Sequence, residues 1–312
     1  MSEKRITEEI VPTNVPYTYE IMQSNIQSLK NRYLFLETGN VGYSVLGKPI
    51  PYIKIGKGEK EVLYNASLHA NEWIVSVLLM KFVEDFSKAY EKQEKIYKYL
   101  ATEIFDQTTI YIVPMMNPDG VNLVTGATSP TSNVYKNFQN IANNFPNIPF
   151  PLGWKANFNG VDLNLQFPAG WERAREIKFA QGYTKPSPRD YVGEGPLTEP
   201  ESLALYRFTL LHNFRLILAY HTQGEVIYWK YGNFLPEESE YIGRLFADSS
   251  GYRLDLTPPE SAYAGYKDWF IQEYDRPGYT IEAGLGENPL PLSQFPKIYH
   301  DNIGILVLGA IV

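Results

Sequence analysis

Two of the four histidines in this chain, together with two glutamates, occupy positions where metal-dependent chemistry could take place. His69 directly follows an apolar segment and lies three residues before Glu72, so both side chains can point toward one location. His221 directly follows a second apolar segment, and Glu282 ends a third, shorter one. Two imidazoles and a carboxylate are a common ligand set for catalytic zinc, which leaves one coordination position open for water.

These residues lie at the ends of predicted strands, and this position supports a functional site. In open α/β sheets, ligands bind outside the carboxyl ends of the strands. The other two histidines, His212 and His300, lie in helical or loop settings away from any strand end, and we interpret them as structural. An isolated H-x-x-[DE] pattern often occurs by chance. The convergence of His69, His221 and Glu282 is therefore the stronger indication of a site.

Short β-rich apolar segments alternate with helical stretches, which predicts an α/β fold with a largely buried sheet. The predicted strands are 53–55, 62–68, 109–114, 215–220, 226–230 and 279–282, and the predicted helices are 19–32, 73–100, 199–212, 237–250, 266–273 and a last one from 295 onward. Thr198 and Glu201 predict a capping box at the start of the third of these helices. The segment 121–196 is rich in Asn, Pro and Gly with little periodicity, which predicts a long functional loop.

The composition excludes several classes of protein. The 312 residues include no cysteine, so disulfide frameworks, cysteine nucleophiles and thiolate metal sites are ruled out. A net charge of −7 argues against a general nucleic-acid or anionic-membrane surface. The first residues contain charges of both signs, and no apolar segment reaches the ~20 residues that span a bilayer. We therefore expect a cytoplasmic protein.

Five sequence strings, in this order, resemble the M14 metallocarboxypeptidases from about residue 17 to the end. They are LHANEW (68–73), NPDG (117–120), GVDLN (160–164), the end of the His221 strand and TIE (280–282). Within that family, the segments 154–171, 264–270 and 278–291 are most similar to the γ-D-glutamyl-L-diamino-acid peptidases. The resemblance implies one catalytic domain, 17–312, after an N-terminal extension, 1–16. It also implies a twisted, mixed and largely parallel sheet with helices on both faces.

The resemblance also implies a role for each matching residue. His69, Glu72 and His221 would bind one Zn²⁺ ion per chain. Asp162 would hold His69 in the tautomer that binds metal. Glu282 would be the general base that takes a proton from the attacking water. Lys155 would take the place of the arginine that stabilises the oxyanion in the carboxypeptidases.

Two departures from the family pattern affect substrate recognition. The family's carboxylate-binding arginine is replaced by Leu165, which cannot make a bidentate contact with a carboxylate. We expect Asn164 to remain a polar substrate contact, and Arg173 and Arg189 to be the leading replacements for the missing cation, with Arg175 and Lys185 as further candidates. The family's mobile tyrosine has no clear counterpart, and Tyr263 is preferred over Tyr266 for this catalytic position.

These observations predict a zinc peptidase that hydrolyses the γ-D-glutamyl–meso-diaminopimelate bond of muropeptides or other peptidoglycan-derived peptides. The alternatives are a zinc carboxypeptidase of other specificity or an N-acyl-amino-acid deacylase. A non-catalytic binding protein would require the loss of a ligand or of the base, and all four residues are intact. The sequence leaves open whether diaminopimelate or lysine is preferred, whether cleavage is exo or endo, and which oligomeric state forms.

Overall fold

The computed structural model, which describes residues 9–312, contains ten strands and ten α-helices within these residues. The strands are β1 (Glu37–Tyr43), β2 (Pro49–Ile55), β3 (Lys60–Ala66), β4 (Lys95–Ile96), β5 (Tyr99–Leu100), β6 (Thr108–Val113), β7 (Phe214–His221), β8 (Val226–Tyr228), β9 (Arg253–Asp255) and β10 (Gly278–Glu282). The helices are α1 (Tyr19–Arg32), α2 (Ile74–Lys92), α3 (Ala101–Gln107), α4 (Pro118–Val124), α5 (Asn133–Ala142), α6 (Trp171–Ala180), α7 (Pro200–Leu210), α8 (Ser239–Ser250), α9 (Tyr266–Tyr274) and α10 (Phe295–Ile311).

Eight of these strands form one mixed sheet in the order β1-β2-β6-β3-β7-β10-β8-β9. The strands β6, β3, β7 and β10 run parallel to one another, as do β8 and β9. The pairs β1–β2, β2–β6 and β10–β8 are antiparallel. The predicted α/β domain with a mixed, largely parallel sheet is confirmed. Because β3, β7 and β10 are adjacent and parallel, their carboxyl ends lie at the same edge of the sheet.

Helices cover both faces of the sheet. Alternate residues of a strand therefore pack into two different hydrophobic cores. Val62 and Tyr64 of β3 pack in a core with residues of α2, α8 and α10, whereas Leu63 packs in a second core with residues of α7 and α9. None of the helices within residues 9–312 combines the length and apolar character that a membrane crossing requires.

The described part of the N-terminal extension packs against the rest of the chain. The backbone N–H groups of Ile10 and Val11 donate hydrogen bonds of 2.8 and 3.2 Å to the buried carboxylate of Glu84 on α2. Val11 and Tyr17 are fully buried in the larger core. The division of the chain at residues 16 and 17 stays a prediction, but residues 9–16 contribute directly to the packing.

The predicted helix 73–100 was too long. It ends at Lys92 because Gln93 adopts the left-handed conformation, with φ of 55°, and its N–H caps the carbonyls of Ala89 and Tyr90. The following residues form the β4–β5 hairpin and then α3. High helix propensity in this charged stretch concealed the turn, since no glycine or proline marks it.

The segment 121–196 contains more regular structure than its composition indicated, namely the end of α4 and all of α5 and α6. The capping box predicted at residue 198 was wrong. Glu199 is the N-cap of α7, and both the N–H and the hydroxyl of Thr198 donate to the Gln166 side-chain oxygen instead. A tertiary contact therefore replaced the local one. The strands β1 and β9, at the two edges of the sheet, were missed entirely.

Phe82 provides a test of the core. Its side chain on α2 is fully buried, so we expect Phe82→Ala to lower the free energy of unfolding by about 3–5 kcal/mol. Leu34, which is 88% exposed, is the matched control, and Leu34→Ala should change it by less than about 0.5 kcal/mol. Urea titration followed by circular dichroism measures both. Equal shifts for the two variants would contradict this arrangement of the core.

Candidate metal centre

The chain bends sharply between the end of β3 and the first candidate ligand. Ser67 adopts φ of 54°, which is uncommon for a residue other than glycine, and its hydroxyl hydrogen-bonds that of Ser76 at 2.7 Å. After this bend, His69 precedes a short 3₁₀ turn that contains Glu72. The side chains of His69 and Glu72 are both buried, and they meet with His69 Nδ1 2.9 Å from Glu72 Oε1.

The other two candidate residues come from neighbouring parallel strands. His221 ends β7 and Glu282 ends β10, and the two residues are direct partners in the register of that pair. The N–H of Thr222 donates to Glu72 Oε2 at 3.3 Å, which ties the end of β7 to the 3₁₀ turn. The predicted convergence at the carboxyl edge of the sheet is therefore present in the structure.

Three ligand atoms converge at this edge. His221 Nδ1 lies 2.9 Å from Glu72 Oε2 and 3.2 Å from His69 Nδ1. One atom each of His69, Glu72 and His221 lies within 4.8 Å of the other two, and all three residues are buried. Two neutral imidazole nitrogens and a carboxylate brought this close together favour a cation between them.

Hydrogen bonds outside this cluster leave the correct nitrogens available for a metal. His69 Nε2 lies 2.9 Å from Asp162 Oδ1, so donation to this carboxylate assigns the proton to Nε2 and leaves the Nδ1 lone pair available. His221 Nε2 is buried and has no hydrogen-bond partner among residues 9–312, while its Nδ1 faces the cluster. The arrangement fits zinc, which is bound by imidazole nitrogen and carboxylate oxygen.

Lys155 is brought to the same point by a loop that the NPDG string holds in place. The Asn117 amide donates to the carbonyls of Leu68 and Ala156 at 3.3 and 2.9 Å, so it joins the end of β3 to this loop. Ala70 N–H also donates to the Lys155 carbonyl at 3.0 Å. As a result, Lys155 Nζ lies 3.5 Å from Glu72 Oε1. The bridging role of Asn117 could not be read from the sequence, because it depends on which loops meet.

The charged groups in the cluster shift one another's pKa values. Burial lowers the pKa of His69, but the neighbouring Glu72 and Asp162 carboxylates outweigh burial and raise it to about 9. Burial disfavours the ionised form of Glu72, yet His69 and Lys155 hold its pKa well below the usual range. Burial also lowers the pKa of His221. The surrounding carboxylates therefore stabilise positive charge at this point.

Glu282 behaves differently from the other carboxylates. Burial, followed by the nearby charge of Glu72, raises the pKa of Glu282 to about 8, even though Lys155 opposes the shift. A divalent cation at the three ligand atoms would favour the ionised form, so we expect metal binding to lower this pKa. Glu282 would then be able to accept a proton near neutral pH.

Comparison with known proteins identifies the family. The sequence profile of the M14 peptidases, described as zinc carboxypeptidases, matches residues 22–304. The chain belongs to the M14 zinc carboxypeptidase family. It is a metallopeptidase, and the family resemblance found in the sequence is confirmed.

Two curated relatives and one solved structure illustrate the relation. The chain is 46% identical over 98% of its length, and 75% of the relative, to γ-D-glutamyl-L-diamino acid endopeptidase 1 of Lysinibacillus sphaericus. It is 39% identical over 93% of its length, and 76% of the relative, to the uncharacterized protein YqgT of Bacillus subtilis. Bovine thrombin-activatable fibrinolysis inhibitor shares the fold, with a TM-score of 0.72 and 18% identity over 96% of this chain and 97% of that one.

A cavity of about 180 Å³ opens beside the ligand cluster of this M14 peptidase. Its walls include His69, His221, Glu282, Lys155, Asp162, Asn164 and Leu165. Leu165 is buried against Trp171 and Val192. Asn164 accepts a hydrogen bond from the N–H of Tyr266 through Oδ1, at 3.0 Å. An apolar side chain therefore lies at the cavity wall, at the position where the sequence resemblance implied an arginine in the carboxypeptidases.

The remaining candidates predicted from the sequence lie farther out. Arg173 is largely exposed and pairs with Glu176 at 2.7 Å, and it is not among the residues that line the cavity. Arg189 pairs with Asp190 at 2.6 Å and lines an outer groove that continues from the cavity. Tyr263 packs against Tyr231 rather than lining either space.

Several side chains that the sequence analysis did not select also line the cavity, among them Tyr228, Lys178 and Lys267. Tyr228 ends β8 and pairs with Thr280 of β10, so its place beside Glu282 follows from the order of the strands. Lys178 pairs with Asp190 at 2.7 Å. Tyr228 lies in the middle of the predicted strand 226–230, so no strand-end signal pointed to it, and the positions of the two lysines depend on how α6 and α9 pack.

Zinc binding tests the ligand assignment. We expect the purified protein to hold about one zinc per chain, and His221→Ala to lose it because a ligand is removed. His212→Ala is the matched control, since His212 stacks on Phe214 away from the site and should leave the zinc content unchanged. Elemental analysis after dialysis measures both. Equal zinc content in the two variants would refute the assignment.

Asp162→Asn tests the hydrogen bond to His69. The neutral amide holds the imidazole less strongly, so zinc affinity should fall by about 10- to 100-fold without losing the site. Competition with a chromophoric chelator measures this affinity. An unchanged value would show that Asp162 does not support the ligand.

Proposed function

We propose that this protein is a zinc peptidase that hydrolyses the γ-D-glutamyl–diamino-acid bond of peptidoglycan-derived peptides. The observation that carries the choice of bond is the 46% identity, over 98% of the chain, to a γ-D-glutamyl-L-diamino acid endopeptidase. The cavity supports it, because Leu165 removes the cation that ordinary carboxypeptidases use for a free terminal carboxylate. A substrate that continues beyond the cleaved bond, or that presents its carboxylate elsewhere, fits such a wall better.

The ligand cluster supplies the means of activating water. Zinc held by His69, Glu72 and His221 would polarise a water molecule and lower its pKa from about 15.7 to near 7. Asp162 keeps the His69 ring in the required orientation through its hydrogen bond to Nε2. Burial of all these groups excludes competing solvent and strengthens their electrostatic interactions.

Glu282 is the proposed general base. Its carboxylate ends β10 beside His221 and lines the cavity, so it can accept the proton of the attacking water. The same carboxyl group then delivers that proton to the departing amine of the diamino acid. The water oxygen forms a bond to the γ-carbonyl carbon and the bond from this carbon to the amide nitrogen breaks. One water proton passes through Glu282 to the departing amine, and the second is released when the new γ-carboxyl group ionises.

Lys155 is the proposed stabiliser of the oxyanion. The Lys155 ammonium lies beside the ligand cluster, 3.5 Å from Glu72 Oε1, and the residue also lines the cavity. Burial lowers the pKa of Lys155, but Glu72 and Asp162 outweigh burial and raise it, so the side chain stays charged. A fixed cation that needs no reorganisation stabilises the negative charge that develops on the carbonyl oxygen.

Product analysis tests this proposal. Zinc-loaded protein incubated with L-Ala-γ-D-Glu-meso-diaminopimelate should release diaminopimelate, and a chelator should abolish the release. If protein with one bound zinc releases none, the choice of bond is wrong while the metal site stands. Acyl-amino acids and ordinary peptides would then be assayed in its place.

Glu282→Gln tests the base. The amide cannot accept the proton, so kcat should fall by about 10²- to 10⁴-fold while the zinc content stays the same. Glu273→Gln on the exposed side of α9 is the matched control and should keep full activity. Steady-state kinetics and elemental analysis measure the two properties. Turnover close to that of the control would remove Glu282 from the mechanism.

Lys155→Met tests the oxyanion contact. Loss of the cation should lower kcat by about 10²- to 10³-fold with a smaller change in KM, because the contact forms in the transition state. Lys155→Arg restores the charge and should recover part of the rate. A fall confined to KM would instead assign Lys155 to ground-state binding.

A further inference from the structure

Two cations that line the outer groove share a single carboxylate. Lys178 Nζ lies 2.7 Å from Asp190 Oδ1, and Arg189 Nε donates to Asp190 Oδ2 at 2.6 Å. Burial and the charge of Asp162 oppose the ionisation of Asp190, yet the surrounding cations hold its pKa below the ordinary value. These three side chains, which we call the Asp190 cluster, therefore carry one net positive charge. The mechanism described above makes no use of them.

Both cations of the Asp190 cluster keep donors for a ligand. Within the described part of the chain, Asp190 is the only side chain that pairs with either of them. Arg189 makes this contact through Nε, so the two terminal nitrogens of its guanidinium stay available for a bidentate contact with a carboxylate. The side chain of Lys178 is only 8% exposed, and a buried ammonium that shares its counter-charge with a second cation is costly. A carboxylate ligand would supply the negative charge that the cluster lacks.

Backbone hydrogen bonds fix the segment that carries Arg189. The N–H of Lys155 donates to the carbonyl of Pro188 at 2.8 Å, and the N–H of Asp162 donates to the carbonyl of Tyr191 at 2.8 Å. The segment is therefore held at both ends by the loop that supplies the proposed oxyanion contact. A cation positioned in this way needs little reorganisation when a ligand binds.

Helix α6 brings Lys178 to the same place. Ala174 and Trp171 lie one and two turns earlier on the same face of this helix, and both are buried. They pack with Leu165, the apolar residue at the position of the family's arginine. The helix that packs against this apolar residue thus presents a different cation to the site.

The Asp190 cluster lies where the inner cavity meets the outer groove. Lys178 and Asp190 line both spaces, as do Lys155 and Glu282, the proposed oxyanion contact and general base. Arg189 lines the outer groove alone. The cluster therefore begins beside the reacting centre and continues along the groove. The groove, about 1140 Å³, has room for more of a peptide than the inner cavity, about 180 Å³.

We infer that Lys178 and Arg189 bind the free α-carboxylate of the γ-linked glutamate. This inference rests on the proposed function. With the diamino acid in the smaller inner cavity, the glutamyl residue and the alanine before it occupy the outer groove. A glutamate joined through its γ-carboxyl group keeps its α-carboxylate, which two methylene groups and the α-carbon separate from the reacting carbonyl. This carboxylate can extend from the reacting centre toward the cluster.

The Asp190 cluster discriminates against a glutamyl residue whose α-carboxylate is amidated. A carboxamide carries no charge, and it has one acceptor oxygen instead of two. It can neither balance the extra cation nor accept the paired donors of Arg189. Because a buried charged group is then left without its partner, binding of the amide is weaker. The cluster thus makes the enzyme selective for the free acid.

Two peptides that differ only at this group test the inference: L-Ala-γ-D-Glu-meso-diaminopimelate and its D-isoglutamine analogue, in which the α-carboxylate is a carboxamide. With zinc-loaded wild-type protein, kcat/KM should favour the acid by about 10- to 100-fold. Lys178→Met and Arg189→Met should each lower kcat/KM for the acid by about 10-fold and leave the value for the amide nearly unchanged. Arg244→Met is the matched control, since Arg244 is exposed on α8 and also pairs with a carboxylate, that of Glu240. It should keep the wild-type preference.

The two variants are chosen to stay folded. Each removes one cation and leaves the other as the partner of Asp190, so neither variant buries an uncompensated carboxylate. Zinc content and melting temperature establish that each is folded. Displacement of the catalytic groups would slow both peptides alike. Equal losses on the acid and the amide would therefore overturn the inference, and so would equal rates on the two peptides with the wild-type protein.

A binding measurement separates this inference from the proposed function. Calorimetry with L-Ala-D-Glu and L-Ala-D-isoglutamine on zinc-loaded protein should show a preference for the former that Lys178→Met and Arg189→Met reduce. If neither peptide is cleaved but this preference is present, the choice of bond fails and the recognition stands. If the acid is cleaved but neither binding nor kcat/KM depends on the two cations, the recognition fails and the peptidase activity stands.

Discussion

The hydrogen bond between His69 and Asp162 joins parts of the chain that are 93 residues apart, and the rest of the site depends on it. It fixes the ring that faces Glu72 and His221, and it holds the loop that carries Lys155 against the end of β3. Asn117 reinforces the same junction through the carbonyls on either side of it. A displacement of this loop would therefore move a ligand and the proposed oxyanion contact together. Asp162 and Asn117 therefore hold the parts of the site together through hydrogen bonds between distant segments of the chain.

Carboxylates outnumber ammonium groups at the ligand cluster, as they do in the chain as a whole. Three carboxylates, those of Glu72, Asp162 and Glu282, face the single ammonium of Lys155 at the ligand cluster. With the imidazoles neutral and all three carboxyl groups ionised, the cluster would carry a surplus of negative charge that suits a dication. Away from the cluster the cavity carries matched pairs, Lys178 with Asp190 and Lys267 with Asp268. The cavity thus combines a candidate metal site with walls whose charges are paired within the protein.

Sequence reasoning located His69, His221 and Glu282 because each ends a buried strand, and strand ends can be recognised from apolar patterning alone. The roles of Asp162 and Lys155 came from the family resemblance, since both lie in a loop without periodicity. Tyr228 and Lys267 were missed because their exposure to the cavity depends on the strand order and on the packing of α9. Boundaries failed where local signals were weak, as at Gln93, or where a tertiary contact displaced them, as at Thr198. Patterning therefore predicted the architecture and the convergence of the candidate ligands, while the other side chains that line the cavity could be found only from the structure.

The position of β10 in the sheet affects how the protein can be assembled. This strand is the last of the ten in the chain, yet it lies between β7 and β8 and supplies Glu282. Until residues 278–282 have left the ribosome, β8 and β9 have no neighbour through which to join the sheet. A nascent chain could already contain His69, Glu72 and His221 but would lack the proposed base and one wall of its cavity. The complete site would then form in one late step of folding, when β10 pairs with β7 on one side and with β8 on the other.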